Sequence, residues 1–329
     1  MGSEEPGTAG HHGAAEGDVG HVPDGTTERV LPRVGTVAPM PAPERAPGAT
    51  VVVATRDRAA DLRVTLPRHA AEVVVVDNGS TDDTPAVLAA EAARRRAAGE
   101  PGLRTLRPGQ NLGATARNLG VAAARTEVVA FADDDSWWAP GSLQRAEQLF
   151  AEHPRLAVLA ARTLVGPAEE LDPVCLDMAS APWGRAPDLP GPHVTGFVAC
   201  ATVVRRDAFL ATGGFDRVVH FGGEEERVTY DLLAAGWGLA YVDDVVAHHH
   251  PSPSRGTAQQ RRELLQRNAL LTAWMRRPLR VAARSTVGSF LAGGEARRGA
   301  LAAVPRVPAA LRQRRGTSPV VEERLAVRG

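Results

Sequence analysis

Three consecutive aspartates, Asp133, Asp134 and Asp135, directly follow the apolar run 128–132. Its β-branched residues predict a buried strand, which places the acids where that strand leaves its sheet. Three neighbouring carboxylates repel one another unless a cation joins them. Mg²⁺ and Mn²⁺ take oxygen ligands, and Mg²⁺ is usually held by one or two carboxylates together with substrate phosphates. The acids predict a metal that carries a diphosphate. The alternative is a solvated acidic turn in which Ser136 caps the next helix.

A second acidic cluster, 224–226, follows Gly222 and Gly223 and opens an apolar helical segment. The positive end of a helix dipole favours carboxylates, so these glutamates are also explained as a favourable first turn.

The composition excludes several classes of enzyme. The 329 residues include no lysine, so all 38 basic residues are arginine. A P-loop lysine, a lysine Schiff base and a pyridoxal phosphate linkage are therefore excluded. The formal net charge is zero, but residues 251–329 hold 16 Arg against 4 Glu, which leaves −12 on residues 1–250.

Cysteines and hydropathy predict the compartment. Two cysteines are too few for a disulfide framework and suit a reducing cytoplasm. No run of about 18 apolar residues and no signal pattern is found, so a cytoplasmic protein is expected.

The pattern along the chain predicts a disordered leader over 1–48, an α/β domain over 49–251 and a helical, Arg-rich extension with a disordered end over 252–329. Strands are expected at Thr50–Ala54 and Val73–Val76, and a helix runs from Pro85 to about Ala98. Continuous β-branched strands separated by helices indicate a mainly parallel sheet. Ligands of such sheets bind beyond the carboxyl ends of the strands, where 55–58, Asp77 and the three aspartates converge.

Further elements follow in sequence. A small-residue helix is expected from the segment 111–120 to about Ala124, with Arg117 and Asn118 as donors for a phosphate or a base. A helix is expected over 136–153, and strands over 156–161 and 197–204. The Pro-rich stretch 166–192 is interpreted either as a substrate-covering loop or as a surface excursion.

Ordered motifs resemble the family 2 glycosyltransferases, inverting enzymes with the GT-A fold, over about 50–251. The motifs are ATRDR at 54–58, VVDNGSTDDT at 75–84, NLGATARNLG at 111–120, FADDD at 131–135, GGFD at 213–216, the glutamates at 224 and the histidines at 248–250.

The resemblance implies roles for individual residues. Those implied to bind the nucleotide sugar are Thr55, Asp57, Asp77, Asn111, Arg117, Asn118, Asp133 and Asp134. Asp135 is implied to bind the metal directly, joined by Asp133 and by His248 as a late ligand. The base is implied to be the second acid of a pair at a helix start, which makes Glu225 the preferred base and Glu224 the runner-up. The family pattern has Asp where this chain has Glu225, and a third acid follows here.

The implied reaction moves a sugar from a nucleoside diphosphate, preferably UDP or dTDP, to a hydroxyl acceptor such as a glycan or a lipid-linked sugar. Mg²⁺ or Mn²⁺ would assist, and configuration would invert in a single displacement. No nucleic-acid partner is expected. Two alternatives stay open: a non-catalytic sugar-binding or nucleotide-binding module on the same fold, and a sugar-nucleotide pyrophosphorylase, which the lack of lysine disfavours.

The C-terminal extension has leucines and Trp274 at helical spacing, followed by many arginines. One interpretation is a single helix packed on the domain with a basic tail. A second hypothesis is peripheral contact of this tail with an anionic membrane surface.

Overall fold

The computed structural model describes residues 48–252 and 257–326. The predicted leader lies outside these residues, except for Gly48. The strands and helices in chain order are β1 (Ala49–Thr55), α1 (Ala59–Thr65), β2 (Glu72–Asp77), α2 (Thr84–Ala98), β3 (Leu103–Leu106), α3 (Ala116–Ala123), β4 (Val128–Ala132), β5 (Ser136–Trp138), α4 (Ser142–Glu152), β6 (Leu156–Val165), β7 (Glu170–Leu171), α5 (Pro173–Ala179), β8 (Thr202–Arg205), α6 (Arg206–Ala211), α7 (Glu225–Ala234), β9 (Gly238–His249), α8 (Ala258–Arg276), α9 (Leu279–Ala292), α10 (Gly294–Ala303), α11 (Val307–Arg312) and α12 (Pro319–Ala326).

A nine-stranded sheet forms the centre of the described region, in the order β3-β2-β1-β4-β8-β6-β9-β5, with β7 paired to β6. Strands β1, β2, β3, β4, β6 and β9 run in one direction, and β5, β7 and β8 run in the other. Alternate residues of β1 enter two core clusters, Val51 and Val53 in one and Val52 in the other. Burial of both faces explains the continuous valine runs, and the predicted α/β fold is confirmed.

The parallel strands β1, β2 and β4 end at the same edge of the sheet. Thr55 pairs with Asp77, and Val53 pairs with Ala132, one residue before Asp133. The carboxyl ends of β1, β2 and β4, which the sequence predicts to converge, therefore lie side by side.

The segment after the aspartates departs from the predicted helix over 136–153. Residues Ser136–Trp138 form β5 on the edge of the sheet, antiparallel to β9, and the helix begins only at Ser142. Pro140 and Gly141 separate the two elements, and Gly141 has a φ of 80°. Bulky aromatic residues favour a strand here, and the glycine supplies the left-handed turn that starts the helix.

The C-terminal extension contains more than the single helix of the first interpretation. Thr257 and Gln260 form a capping box at the start of α8. A third core cluster joins α8, α10 and α11 to Val218 and Val219 of the preceding domain. Helix α12 lies near the expected disordered end, yet Val321 and Leu325 are buried in the second core cluster of the sheet domain. No described helix has both the length and the apolar character required to cross a membrane.

Candidate functional site

The three aspartates after β4 have different partners. Asp134 contacts residues at the end of β1 and just after it. Thr55 Oγ1 donates to Asp134 Oδ2 at 3.1 Å, and Arg58 Nε lies 3.8 Å from Oδ1. Burial, and then repulsion from Asp133 and Asp135, raises the pKa of Asp134 to about 7. Thr55 and Asp134, both expected to contact the donor, therefore contact each other.

Asp135 is buried beside the end of β9. The Ser252 backbone N–H donates to Asp135 Oδ2 at 3.0 Å, and His249 Nε2 lies 3.4 Å from Oδ1. The Asp135 carbonyl accepts the His250 backbone N–H at 2.8 Å. Pairing of Ser136 with His249 in the β5–β9 ladder brings these groups together.

His248, the predicted late ligand, has other neighbours. Its Nδ1 lies 3.0 Å from Glu169 Oε1, and its ring stacks on Trp137 with 5.2 Å between centroids. Successive residues of a strand point to opposite faces, so His249 is the histidine beside Asp135.

Arg117 connects the two acidic clusters. Its buried guanidinium on α3 donates to Asp133 Oδ1 and lies 3.5 Å from Glu224 Oε1. Burial raises the pKa of Glu224, and the Arg117 charge opposes that rise. Glu224 is therefore held in an ion pair that also contains Asp133.

Glu225 begins α7 and lines a cavity. The Ala199 backbone N–H donates to Glu225 Oε1 at 3.3 Å. Burial, and then repulsion from Glu224, raises the pKa of Glu225 to about 8. A carboxylate with a raised pKa is a stronger proton acceptor once it is ionised.

The cavity has a volume of about 610 Å³ and lies between α5, α7 and the segment 194–197. Its apolar wall includes Met178, Trp183, Val194 and Phe197. Among the described residues that line it, Asp177, Glu225 and Glu226 are acidic and none is basic. The stretch 166–192, left open by the sequence, therefore contributes a wall of this cavity.

Asp57 and Asp77 organise the loop after β2. Asp57 has a φ of 53° and accepts the Thr81 backbone N–H at 2.6 Å, which lowers its pKa. Asp77 is buried, accepts the Ser80 N–H at 2.9 Å, and lies 3.5 Å from Arg107 Nε. Both carboxylates thus hold the backbone of the loop that follows β2 at the carboxyl edge of the sheet.

The predicted donor-binding asparagines differ in exposure. Asn111 is exposed, and its Oδ1 accepts the Gly113 N–H at 2.9 Å. Asn118 Nδ2 donates to the Phe215 carbonyl, and its Oδ1 accepts the Phe215 N–H, each at 2.9 Å. A Cβ on Gly214, which has a φ of 61°, would lie only 2.4 Å from Asn118 Oδ1. Asn118 therefore fastens the GGFD turn to α3.

The side chains near Asp135 include carboxylates, the ligand type that hard divalent cations take. The Asp135 carboxylate lies beside the His249 imidazole, and the Asp133 carboxylate accepts from Arg117 through Oδ1. Within 48–252 and 257–326, no group of three or more His, Cys, Asp or Glu side chains forms a ready metal cage. Mg²⁺ commonly takes only one or two carboxylates from the protein and completes its shell with substrate phosphates and water.

Sequence reasoning missed the position of His249 and the Ala199 contact to Glu225. Strand alternation separates His248 from His249 only once the register of β5 on β9 is known. The contact from Ala199 had no signal in the sequence, because it joins residues 26 positions apart.

Comparison with known proteins adds independent findings. The family model for glycosyl transferase family 2 matches residues 50–212. A pre-mycofactocin glycosyltransferase of Mycobacterium tuberculosis is 31% identical over 222 residues, covering 63% of this chain and 43% of that protein. An N-acetylglucosaminyl-diphospho-decaprenol L-rhamnosyltransferase of the same organism is 29% identical over 217 residues, covering 56% and 68%. The chain spans less than half the length of the first of these relatives.

A solved structure shares the fold. A mannosyltransferase from Pyrobaculum calidifontis, in complex with GDP-Man and Mn²⁺, aligns with a TM-score of 0.55 at 22% identity, over 88% of this chain and 81% of that one. The sheet with flanking helices described above is thus the GT-A fold. Residues 50–212 form the part of the chain that belongs to glycosyl transferase family 2.

Proposed function

We propose that this chain transfers a sugar from a nucleoside diphosphate to an acceptor hydroxyl by a metal-assisted single displacement with inversion. The observation that carries the proposal is Glu225, a carboxylate of raised pKa that lines a cavity. Its neighbour Glu224 is linked through Arg117 to the aspartates after β4. A proton acceptor and a diphosphate-binding edge are the two parts that such a transfer needs.

Glu225 is the proposed base. It would take the proton of the acceptor hydroxyl as that oxygen attacks the anomeric carbon of the sugar. Glu224 is less suited to this step because the Arg117 ion pair stabilises its charge and holds its position. The single displacement requires no covalent intermediate on the protein.

The donor side would hold the diphosphate. Asp133 and Asp135 are the proposed metal ligands, with His249 in place of His248 as the neighbouring imidazole. When bound, Mg²⁺ or Mn²⁺ would neutralise the charge that develops on the departing diphosphate. The mannosyltransferase of similar fold was solved with Mn²⁺, which supports a divalent ion here.

The nucleotide is proposed to be UDP or dTDP, because an acid at Asp77 suits the imide N–H of uracil or thymine. The solved mannosyltransferase binds GDP-Man, so GDP belongs in the test. Thermal shifts of the full chain with UDP, dTDP and GDP, each with Mn²⁺, identify the base, since a ligand that binds the folded state raises its melting temperature.

Transfer is tested with Asp135→Ala. Removing the buried carboxylate should lower sugar transfer by about 10⁴-fold, because metal assistance is worth several kcal/mol. Asp244→Ala is the matched control, since Asp244 is an exposed carboxylate that pairs with Arg145 away from these acids. Full transfer by Asp135→Ala would refute the proposal, and nucleotide binding without any donor cleavage would favour the non-catalytic module.

The extension is proposed to contact an anionic membrane surface. Helix α9 contains Arg280 and Arg284 and no acid, and it exposes Val287 and Leu291, the latter 83% exposed. Basic and apolar residues together favour binding at an anionic interface. Co-sedimentation with phosphatidylserine vesicles should fall for Leu291→Glu. Equal recovery of parent and variant would remove the idea.

A further inference from the structure

We propose that the C-terminal extension positions the base, with Asn268 of α8 holding the backbone of the segment that leads into Glu225. This segment, residues 218–223, lies between the GGFD turn and the start of α7. The proposal rests on the proposed function, which gives Glu225 its role, and it adds a positioning residue that acts through Glu225.

Asn268 is completely buried, and both ends of its amide group are bonded. Its Nδ2 donates to the Phe221 carbonyl at 2.7 Å and also to the Gly222 carbonyl, and its Oδ1 accepts Arg267 Nε at 2.8 Å. A Cβ on Gly222 would lie 3.1 Å from Leu264 Cδ2, so α8 also packs closely on this backbone. Loss of the amide would leave buried carbonyls without their donor, which is costly.

Two arginines of the extension bind the start of the same segment. Arg267 Nη2 donates to the Val219 carbonyl at 3.1 Å, and Arg306 Nη1 donates to the Val218 carbonyl at 2.8 Å. Hydrogen bonds from charged donors are stronger than those between neutral groups. Together with Asn268, the extension therefore supplies donors for four carbonyls of segment 218–223.

The remaining carbonyl between Val218 and Gly222 is held from the opposite side. The Ala114 backbone N–H donates to the His220 carbonyl at 2.7 Å, and a Cβ on Gly113 would lie only 2.4 Å from that oxygen. His220 has a φ of 70°, a conformation that a residue other than glycine keeps only where its surroundings fix it. Segment 218–223 is thus fixed between the extension and the NLGATARNLG motif.

Helix α8 also holds α7 itself, beyond the position of Glu225. Asp231 accepts from Arg276 of α8 through both carboxylate oxygens, with Nη2 at 2.9 Å from Oδ2. Such a two-bond contact fixes orientation as well as distance. The backbone that carries Glu225 is therefore held before it and after it by one helix of the extension. Misplacement of a reacting group by about 1 Å can lower a rate about 10²-fold, so this hold matters for the base.

Asn268→Leu tests the contact in the full chain without substrate. Leucine resembles asparagine in shape but donates no hydrogen bond, so the Phe221 and Gly222 carbonyls lose their donor. Hydrogen–deuterium exchange of the amides in 218–226 should become about tenfold faster, while β1 exchanges as in the parent protein. Unchanged exchange over 218–226 would overturn the proposal.

Thr286→Val is the matched control within the extension. Thr286 Oγ1 accepts Trp274 Nε1 at 3.1 Å, a bond that joins α9 to α8. The variant loses a hydrogen bond of the extension but none to segment 218–223, so exchange over 218–226 and donor cleavage should stay as in the parent. An equal response of the two variants would mean a general loosening of the extension and would refute the role of Asn268.

The effect on catalysis is measured as release of nucleoside diphosphate from UDP-glucose, dTDP-glucose and GDP-mannose, with Mn²⁺ and with water as the acceptor. Asn268→Leu should lower kcat about 10²-fold for the donor that the parent cleaves, and change the KM for that donor less than about twofold. In the Glu225→Gln background, the same substitution should cost less than about twofold, because the base on which it acts is already lost. Equal losses in both backgrounds contradict positioning, since general damage acts with or without Glu225.

Arg267→Met keeps the proposal testable if Asn268→Leu does not fold. It removes the bonds of Arg267 to the Val219 carbonyl and to Asn268 Oδ1, and leaves Asn268 Nδ2 in place. We expect a loss of kcat of about fivefold, which should likewise disappear when Glu225 is replaced by Gln. A loss of the same size in both backgrounds would again count against positioning.

The two proposals fail in different ways. If Glu225→Gln cleaves the donor as well as the parent does, the proposed base is wrong. If Glu225→Gln is impaired but Asn268→Leu and Arg267→Met are not, only the positioning role is wrong. If the parent cleaves none of the three donors, the proposed transfer loses its support and the role of Asn268 falls with it.

Discussion

The two sides of the crevice place their charges differently. On the proposed donor side, the carboxylates of Asp133 and Asp134 lie beside Arg117 and Arg58, respectively. On the proposed acceptor side, Glu225 lines a cavity together with Asp177, Glu226 and apolar side chains. Burial raises the pKa of both Glu224 and Glu225, and the Arg117 charge opposes the rise at both. Only Glu224 lies within 3.5 Å of the Arg117 guanidinium, whereas repulsion from Glu224 adds to the rise at Glu225. Neighbouring glutamates can thus differ in role because they face different sides.

The largest expected effect on sugar transfer is that of Glu225→Gln, which tests the difference between the two sides. The amide keeps the shape but accepts no proton, so transfer should fall about 10³-fold while nucleotide binding persists. Glu226→Gln is the matched control, because Glu226 lies in the same cavity but accepts the Tyr230 hydroxyl. A larger loss for Glu226→Gln, measured in the same transfer assay, would move the base by one residue.

The pH dependence of the parent protein gives the next largest effect. The base acts only when ionised, and the pKa of Glu225 is raised to about 8. The value of kcat/KM should therefore rise about tenfold per pH unit on the acid side and level off above about pH 8. Glu225→Gln should lose this limb. A rise of kcat/KM that levels off near pH 4 in the parent protein would show that the base has the pKa of an ordinary glutamate.

Substitution of the histidines at the end of β9 tests which of them lies beside the proposed metal ligands. His249→Ala should raise the Mn²⁺ concentration needed for half-maximal transfer about tenfold, because loss of a group beside a metal ligand commonly weakens metal binding. His248→Ala should leave it nearly unchanged, because His248 pairs with Glu169. Titration of activity with Mn²⁺ compares the two variants directly, and the reverse order would restore His248 as the ligand.

The smallest effect on donor binding is expected from Asn118→Ala. Its two bonds to Phe215 would be lost, lowering the free energy of unfolding by about 1–3 kcal/mol. Affinity for nucleoside diphosphate should change little, as measured by titration below the melting temperature. A large loss of affinity in a folded variant would return Asn118 to the nucleotide site.

Much of the fold could be predicted because the strands carry strong local signals. The valine runs of β1 and β2 and the proline and glycine that bound α2 locate those elements almost to the residue. The strand β5 could not be predicted in this way, since Ser136–Trp138 pair only with β9, more than a hundred residues later. Helix α12 was missed for a similar reason, because its anchor is burial against a distant part of the chain.

The sequence predicts which motifs form the site, but not the direction in which their side chains point. Asp135 and Glu225 could be selected from their places after a strand and at a helix start. Asp134 and Asn118 occupy the same motifs, yet their polar atoms face Thr55 and Phe215. Orientation depends on which partner lies across the fold, and spacing along the chain carries no such information.

The shared ion pair of Arg117 has a consequence for the sequence of substrate addition. The Arg117 guanidinium contacts both Asp133 and Glu224. A ligand that drew Asp133 away would leave Arg117 free to move towards Glu224 at the start of α7. If the proposed transfer holds, we therefore expect ordered kinetics, with the sugar nucleotide binding before the acceptor.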